Sequence, residues 1–196
     1  RCDSVDGVVA AADQGADVII FGGESTITIS HSQLEAAVQA AHEQGAALWA
    51  GTPRIVREEN RLVVQNELER AITAGVDGIY AGAMAVFAMI ADLNITVPVR
   101  ADWSLNIFNS QAARAYASLG CTAVTASVEA TLRQLKEMVR QSGCPIEAVV
   151  QGRAEMMVTE SCVISSFAAG PEERLPGVCN RGAYALRDRR DETFPV

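Results

Sequence analysis

Aromatic residues, histidines and long apolar runs are all scarce in this sequence of 196 residues. Phe, Trp and Tyr make up 5% of the chain, and there are two histidines. No stretch approaches the ~20 uninterrupted apolar residues of a membrane helix, so no membrane span is expected. Basic residues are outnumbered, 16 Lys and Arg against 24 Asp and Glu, for a formal charge of −8. With a pI near 4.8, this segment alone lacks the clustered cations that tight duplex binding needs. An acidic domain of a larger RNA-modifying protein stays open. Five cysteines, odd in number and scattered, do not make a disulfide framework. With no signal peptide in view, a reducing, cytoplasmic compartment is expected. Disorder is excluded by 49% hydrophobic against 20% charged residues. The chain opens on Arg1-Cys2-Asp3 and stops at Phe194-Pro195-Val196, so an excised piece of a longer protein is expected.

What the sequence does hold is a repeated phrase: a helical stretch, a glycine, four to six apolar residues, then a small residue. It recurs in AADQGADVIIFGG (11–23), AHEQGAALWAG (41–51), AITAGVDGIYAG (71–82), YASLGCTAVTAS (116–127) and RQSGCPIEAVVQG (140–152). Gly15, Gly45, Gly75, Gly120 and Gly143 stand where a helix must stop, a position that favours the left-handed conformation glycine adopts freely. The runs that follow lack polar alternation, as strands buried on both faces do. Six strands are predicted: 18–21, 47–50, 78–81, 97–101, 123–126 and 147–150. Amphipathic helices are expected over 32–44, 66–74, 111–119 and 130–141, with Ser32, Asn66, Ser110 and Ser127 as caps. Strand and helix alternating at this spacing give parallel βα units. A Rossmann-like sheet is disfavoured, because Gly22-Gly23-Glu24 lacks the GxGxxG spacing. The fold expected is therefore α/β, a TIM-like parallel (β/α) barrel, incomplete over residues 1–153. Pro171, Pro176 and Gly177 break the rhythm of an irregular, cysteine-bearing tail over 154–196.

In a (β/α) barrel, function sits at the carboxyl ends of the strands. Those positions hold Glu24, Arg54, Asp102, Asn106, Asn109, Glu129 and Arg153. The densest stretch is ADWSLNIFNS (101–110), the composition of a hydrogen-bonding pocket and equally of turns and helix caps. Asp102, Asn106 and Glu129 are the catalytic candidates. Glu24, Arg54, Asn109 and Arg153 are the substrate-binding candidates, the arginines suiting an anionic group. Glu129 also fits a helix start, where acids favour the dipole. HExxH and GxSxG are both missing and neither histidine follows a strand, so a Ser–His–Asp hydrolase has little support. Cys121 and Cys144 read as small core or edge residues rather than ligands. Cys162 and Cys179 fall in the tail; their spacing is too wide for a CxxC hook, but thiolates there suit a soft metal or an iron–sulfur cluster.

Taken in order, GADVIIFGGE (15–24), AGVDGIYAG (74–82), ADWSLNIFNS, the Ser127-x-Glu129 pair, VVQGRAEMMVTESC (149–162) and LRDRRDETFPV (186–196) after Cys179 resemble the peptidase U32 family, the collagenase-like proteases. The resemblance spans nearly the whole chain. It implies a TIM-barrel-like domain, with further domains in longer members. It also implies, despite the peptidase label, hydroxylation of ribosomal RNA, transfer RNA or the ubiquinone ring in members that hold a [4Fe–4S] cluster through four cysteines. Two of the four positions map to Cys162 and Cys179, with the remaining ligands expected beyond Val196. Two departures stand out: the second cysteine usually close to the first is missing, and so is the family's opening strand.

Three readings follow. One is a domain of an iron–sulfur-dependent hydroxylation enzyme acting on RNA or a small molecule such as a quinone precursor. The second is a peptidase acting on a peptide, with Glu129 or Asp102 activating water. The third is a non-catalytic scaffold domain serving the rest of its parent chain.

Overall fold

The computed structural model describes residues 1–23, 29–152, 162–169 and 182–195. They belong to two compact units, Arg1–Gly152 and Arg153–Val196.

The first unit is built from βα repeats. Helix α1 (Val5–Asp13) precedes β1 (Val18–Gly22), α2 (His31–Glu43) precedes β2 (Ala47–Gly51), and α3 (Arg61–Thr73) precedes β3 (Gly78–Ala81). Then come α4 (Met84–Asp92), β4 (Val99–Ala101), α5 (Ser110–Ser118), β5 (Cys121–Thr125), α6 (Leu132–Gln141) and β6 (Ile146–Glu147). The strands form one parallel sheet in chain order, β1 to β6. The five glycines ending α1, α2, α3, α5 and α6 all have positive φ, between 71° and 96°. There a side chain would clash with its own backbone, which is why the sequence signal is so regular.

Several boundaries move. The caps are Ser30, Asn109 and Thr131 rather than Ser32, Ser110 and Ser127, and each accepts a backbone N–H of the first turn. Helix α3 starts at Arg61, not Asn66, because a 3₁₀ turn over Glu58–Asn60 launches it early. Exposed Leu62 and Val63 hide its amphipathic period. β6 covers two residues instead of four. Among the described residues it has one hydrogen-bonded neighbour, β5, and none pairs 148–150 from the far side. Helix α4, MAVFAMIAD, carries almost no polar face and so shows no period. Ahead of β1, Cys2 makes an isolated parallel bridge to Phe21, its N–H donating to the Ile20 carbonyl at 2.8 Å.

Two contacts show that the sheet curls. The Tyr80 hydroxyl on β3 donates to Glu147 on β6 at 3.0 Å, and Arg1, beside β1, reaches Asp102 after β4 at 3.3 Å. In a flat sheet β3 and β6, and likewise β1 and β4, would lie about 14 Å apart, at ~4.8 Å per strand. The six parallel strands form a half-barrel. Helices cover its convex side, where Phe21, Leu48, Ile79 and Val124 are at most 1% exposed. The core divides between β1–β4 with α1–α4 and β4–β6 with α5–α6.

In the second unit, α7 (Val163–Ala169) and an antiparallel pair, β7 (Ala185–Arg187) with β8 (Thr193–Pro195), are described. No helix among the described residues is long and apolar enough to cross a membrane.

Candidate functional site

At the carboxyl ends of the strands, Asp102 ends β4 and is 2% exposed. Its carboxylate accepts from the Trp103 N–H at 2.8 Å and from Ser104 Oγ at 3.2 Å, and it pairs with the Arg1 guanidinium at 3.3 Å. Burial holds its pKa above the ordinary carboxylate range, and Arg1 and the hydrogen bonds only partly offset that. Ser104 Oγ also donates to the Gly82 carbonyl at 2.8 Å, while Thr52 Oγ1 accepts the Gly82 N–H at 2.9 Å. The ends of β2, β3 and β4 are thereby tied together around Asp102.

Glycine is required at this rim by close approach. A Cβ on Gly51 would lie 2.6 Å from the Gly22 carbonyl oxygen, and one on Gly23 would overlap the Arg1 guanidinium. Arg1 Nε donates to the Gly22 carbonyl at 2.9 Å, so its side chain lies across the ends of β1 and β2 on its way to Asp102. Arg54, after β2, sits over the Trp103 ring at 5.1 Å, in the cation–π range. Asp102 and Arg54 are thus drawn into one neighbourhood through Trp103.

The other described candidates make contacts of their own. Asn106 is exposed and left-handed, with φ 53°, closing the 3₁₀ turn Trp103–Leu105. Asn109 is exposed, and its Oδ1 accepts the Ala112 N–H at 2.9 Å as the cap of α5. Glu129 is exposed after β5, its N–H donating to the buried Ser127 Oγ at 3.4 Å. Glu24, Arg153 and Cys179 lie outside the described residues. Cys162 is exposed, and its Sγ accepts the Ser165 N–H at 3.3 Å. Neither histidine joins Asp102: His42 pairs at 2.8 Å with Asp77, at the amino end of β3, and His31 with Glu35 within α2.

A second set of residues, invisible in the sequence, lines the concave side of the sheet. One residue from each of β2 to β6 stands in it: Trp49 (β2), Tyr80 (β3), Arg100 (β4), Thr125 (β5) and Glu147 (β6). Arg100 Nη1 donates to Glu147 Oε1 at 2.8 Å, and its guanidinium lies 4.1 Å from the Trp49 ring centroid. The Tyr80 and Thr125 hydroxyls each donate to Glu147 Oε2 at 3.0 Å, and they also touch each other. Burial is the main force raising the Tyr80 phenol far above its ordinary pKa, and the Glu147 and Asp102 charges add to it. Arg100 lies two residues before Asp102 on the same strand path, so the two share the concave face.

The peptidase family U32 model matches residues 3–192. This chain belongs to peptidase family U32. Among U32 relatives, it is 23% identical to an uncharacterized protease of Methanocaldococcus jannaschii over 201 residues. That match takes in 95% of the chain but 48% of the relative, so the chain spans about half the length of the curated protein it matches. A solved U32 peptidase superposes with a TM-score of 0.60 at 14% identity, over 75% of this chain and 65% of that one. Orotidine 5′-monophosphate decarboxylase of M. jannaschii superposes with a TM-score of 0.51 at 12% identity, over 75% and 76%. At such identities the structures speak for the fold alone. They are TIM-barrel folds, with which the half-barrel of this U32 chain agrees.

Proposed function

We propose that this U32 chain is the barrel domain of a hydroxylation enzyme acting on RNA or a quinone precursor, with substrate entering beside Asp102. The observation that carries the reading is the buried Asp102 carboxyl at the strand ends. A carboxyl that holds its proton above the ordinary range, yet keeps Arg1 and Ser104 within reach, can donate or take a proton at a ring or carbonyl oxygen. Arg54 supplies a cationic group for a substrate anion; Arg153, outside the described residues, stays a substrate-binding candidate. Asn106 and Glu129 remain catalytic candidates in this reading, and Glu24 and Asn109 substrate-binding candidates.

Family members with this chemistry hold an iron–sulfur cluster. Among the described residues no three His, Cys, Asp or Glu side chains group to hold a metal, and Cys162 is the thiol described in the second unit. One described thiolate does not by itself hold a four-thiolate cluster. Ligation by Cys162 and Cys179 needs further cysteines from elsewhere. Anaerobic iron and sulfide analysis of the parent protein tests it. About four of each per chain, lost in Cys162→Ala and Cys179→Ala, is expected; no cluster in the parent protein removes this part of the reading.

Peptide hydrolysis is the second reading. It is favoured by the relative named as a protease and by the hydroxyl–carboxylate pair of Ser104 and Asp102 at 3.2 Å. Asp102→Asn tests the site itself. We expect turnover of the modified substrate to fall by ~100-fold or more with the fold retained. Full activity in a folded Asp102→Asn protein places the chemistry elsewhere, and gelatin digestion by the wild type that Ser104→Ala abolishes selects hydrolysis.

A further inference from the structure

One irregularity in the sheet sets two thiols side by side. β5 carries an extra residue against β4: Val99 pairs with Cys121 and Arg100 with Ala123, so Thr122 is left out of the register. Thr122 is exposed, and its Oγ1 donates to the Val99 carbonyl at 3.1 Å. Such a bulge breaks the usual alternation of faces. Cys121 therefore shares the convex face with Val124, and both belong to the apolar cluster beneath α5 and α6. On β6, Ile146 pairs with Val124, and Cys144, two residues earlier, stands on the same face. Its Sγ lies 3.9 Å from the Ala113 carbonyl oxygen on α5, and it packs against the same cluster. Cys121 and Cys144 are thus the convex residues that precede the Val124–Ile146 pair on two adjacent strands. Adjacent strands run ~4.8 Å apart, inside the Cα separation of about 4.4–6.8 Å that a disulfide spans. Both are free thiols.

We propose that Cys121 and Cys144 are a modification site for peroxide, closing reversibly into a disulfide that staples β6 to β5. Cys144 is half-buried and Cys121 buried, so peroxide meets Cys144 first. Burial, with the Cys144 charge adding to it, pushes the Cys121 thiol up to about 11, which keeps it protonated and leaves the first attack to Cys144. The Cys144 thiolate attacks one peroxide oxygen; the O–O bond breaks, and hydroxide leaves as water with the proton Cys144 had released. The Cys121 sulfur then attacks the Cys144 sulfenic acid. The S–S bond forms, the S–O bond breaks, and the departing hydroxide carries off the Cys121 proton as a second water. Two thiols lose two electrons, and one peroxide becomes two waters. A staple matters most at β6, because its ladder to β5 covers only two residue pairs. This site is independent of the chemistry assigned to Asp102.

Titrating the full chain with hydrogen peroxide and mapping its non-reduced peptides by mass spectrometry tests the proposal. A Cys121–Cys144 cross-link is expected, lighter than the two thiol peptides by two hydrogens and removed by dithiothreitol. Amide hydrogen exchange reads the staple itself. The Val124 N–H donates to the Pro145 carbonyl and the Ala126 N–H to the Glu147 carbonyl, and both should exchange about tenfold more slowly after oxidation. In Cys144→Ser no staple can form, and peroxide should leave that exchange unchanged. The wild type, read before and after oxidation, carries the test whatever the folding of the variant. Four outcomes would overturn the proposal: both thiols intact while Cys2 or Cys162 oxidises, Cys144 running on to sulfinic acid with Cys121 untouched, a cross-link to another cysteine instead, or unchanged exchange in the cross-linked chain.

Discussion

The two faces of the half-barrel are made by neighbouring residues of the same strands, yet they are chemically opposite. On β3, Ile79 and Ala81 face the helices at 0% exposure, while Gly78 and Tyr80 face the concave side. On β4, Val99 and Ala101 join the apolar clusters, and between them Arg100 pairs with Glu147. The convex face is held by non-directional burial, which tolerates exchange among aliphatic side chains of similar volume. The concave face is held by directional contacts among single copies of each residue, where a carboxylate, a guanidinium and two hydroxyls must all meet. Stability and specificity are thereby divided between the two faces.

The comparison can be broken most forcefully from the convex side. Leu48 is 0% exposed, and Leu48→Ala should cost about 3–5 kcal/mol, read from the urea midpoint at unchanged slope. A loss under 1 kcal/mol would mean the convex core is loosely packed. On the concave side Gly78→Ala should cost about 1–3 kcal/mol through collision with the Trp49 ring. Trp49→Leu in the same chain should recover part of that loss, and additive costs would show that the ring is not the obstacle.

The smallest effect concerns protons at the rim. Because burial raises the Asp102 pKa in the folded state, the folded chain keeps a proton that the unfolded chain has released. The contribution of Asp102 to stability therefore falls as pH rises from the ordinary carboxylate range, near about 4, through the raised folded value. Asp102→Asn should remove that slope, so the variant should gain on the wild type as pH rises. Parallel stability curves for the two proteins would refute it.

Much of the architecture was legible because it is enforced locally. Gly15, Gly45, Gly75, Gly120 and Gly143 mark helix ends through backbone sterics, and the apolar runs after them mark strands. Caps were less legible. Ser30 and Thr131 each reciprocate with a glutamine three residues on, and two polar residues near a helix start compete until the backbone chooses one. Asp102 was visible as a strand-end carboxylate, but its burial, its pairing with Arg1 and its tie to Gly82 through Ser104 depend on strands far apart in sequence.

The sequence alone therefore determined the α/β repeat, the family and the end of the sheet where chemistry is expected, because helix stops, strand runs and strand-end positions are properties of short segments. Tertiary structure alone decided that Trp49, Tyr80, Arg100, Thr125 and Glu147 form one layer. No spacing encodes it, because curling the sheet is what brings β3 within hydrogen-bonding reach of β6.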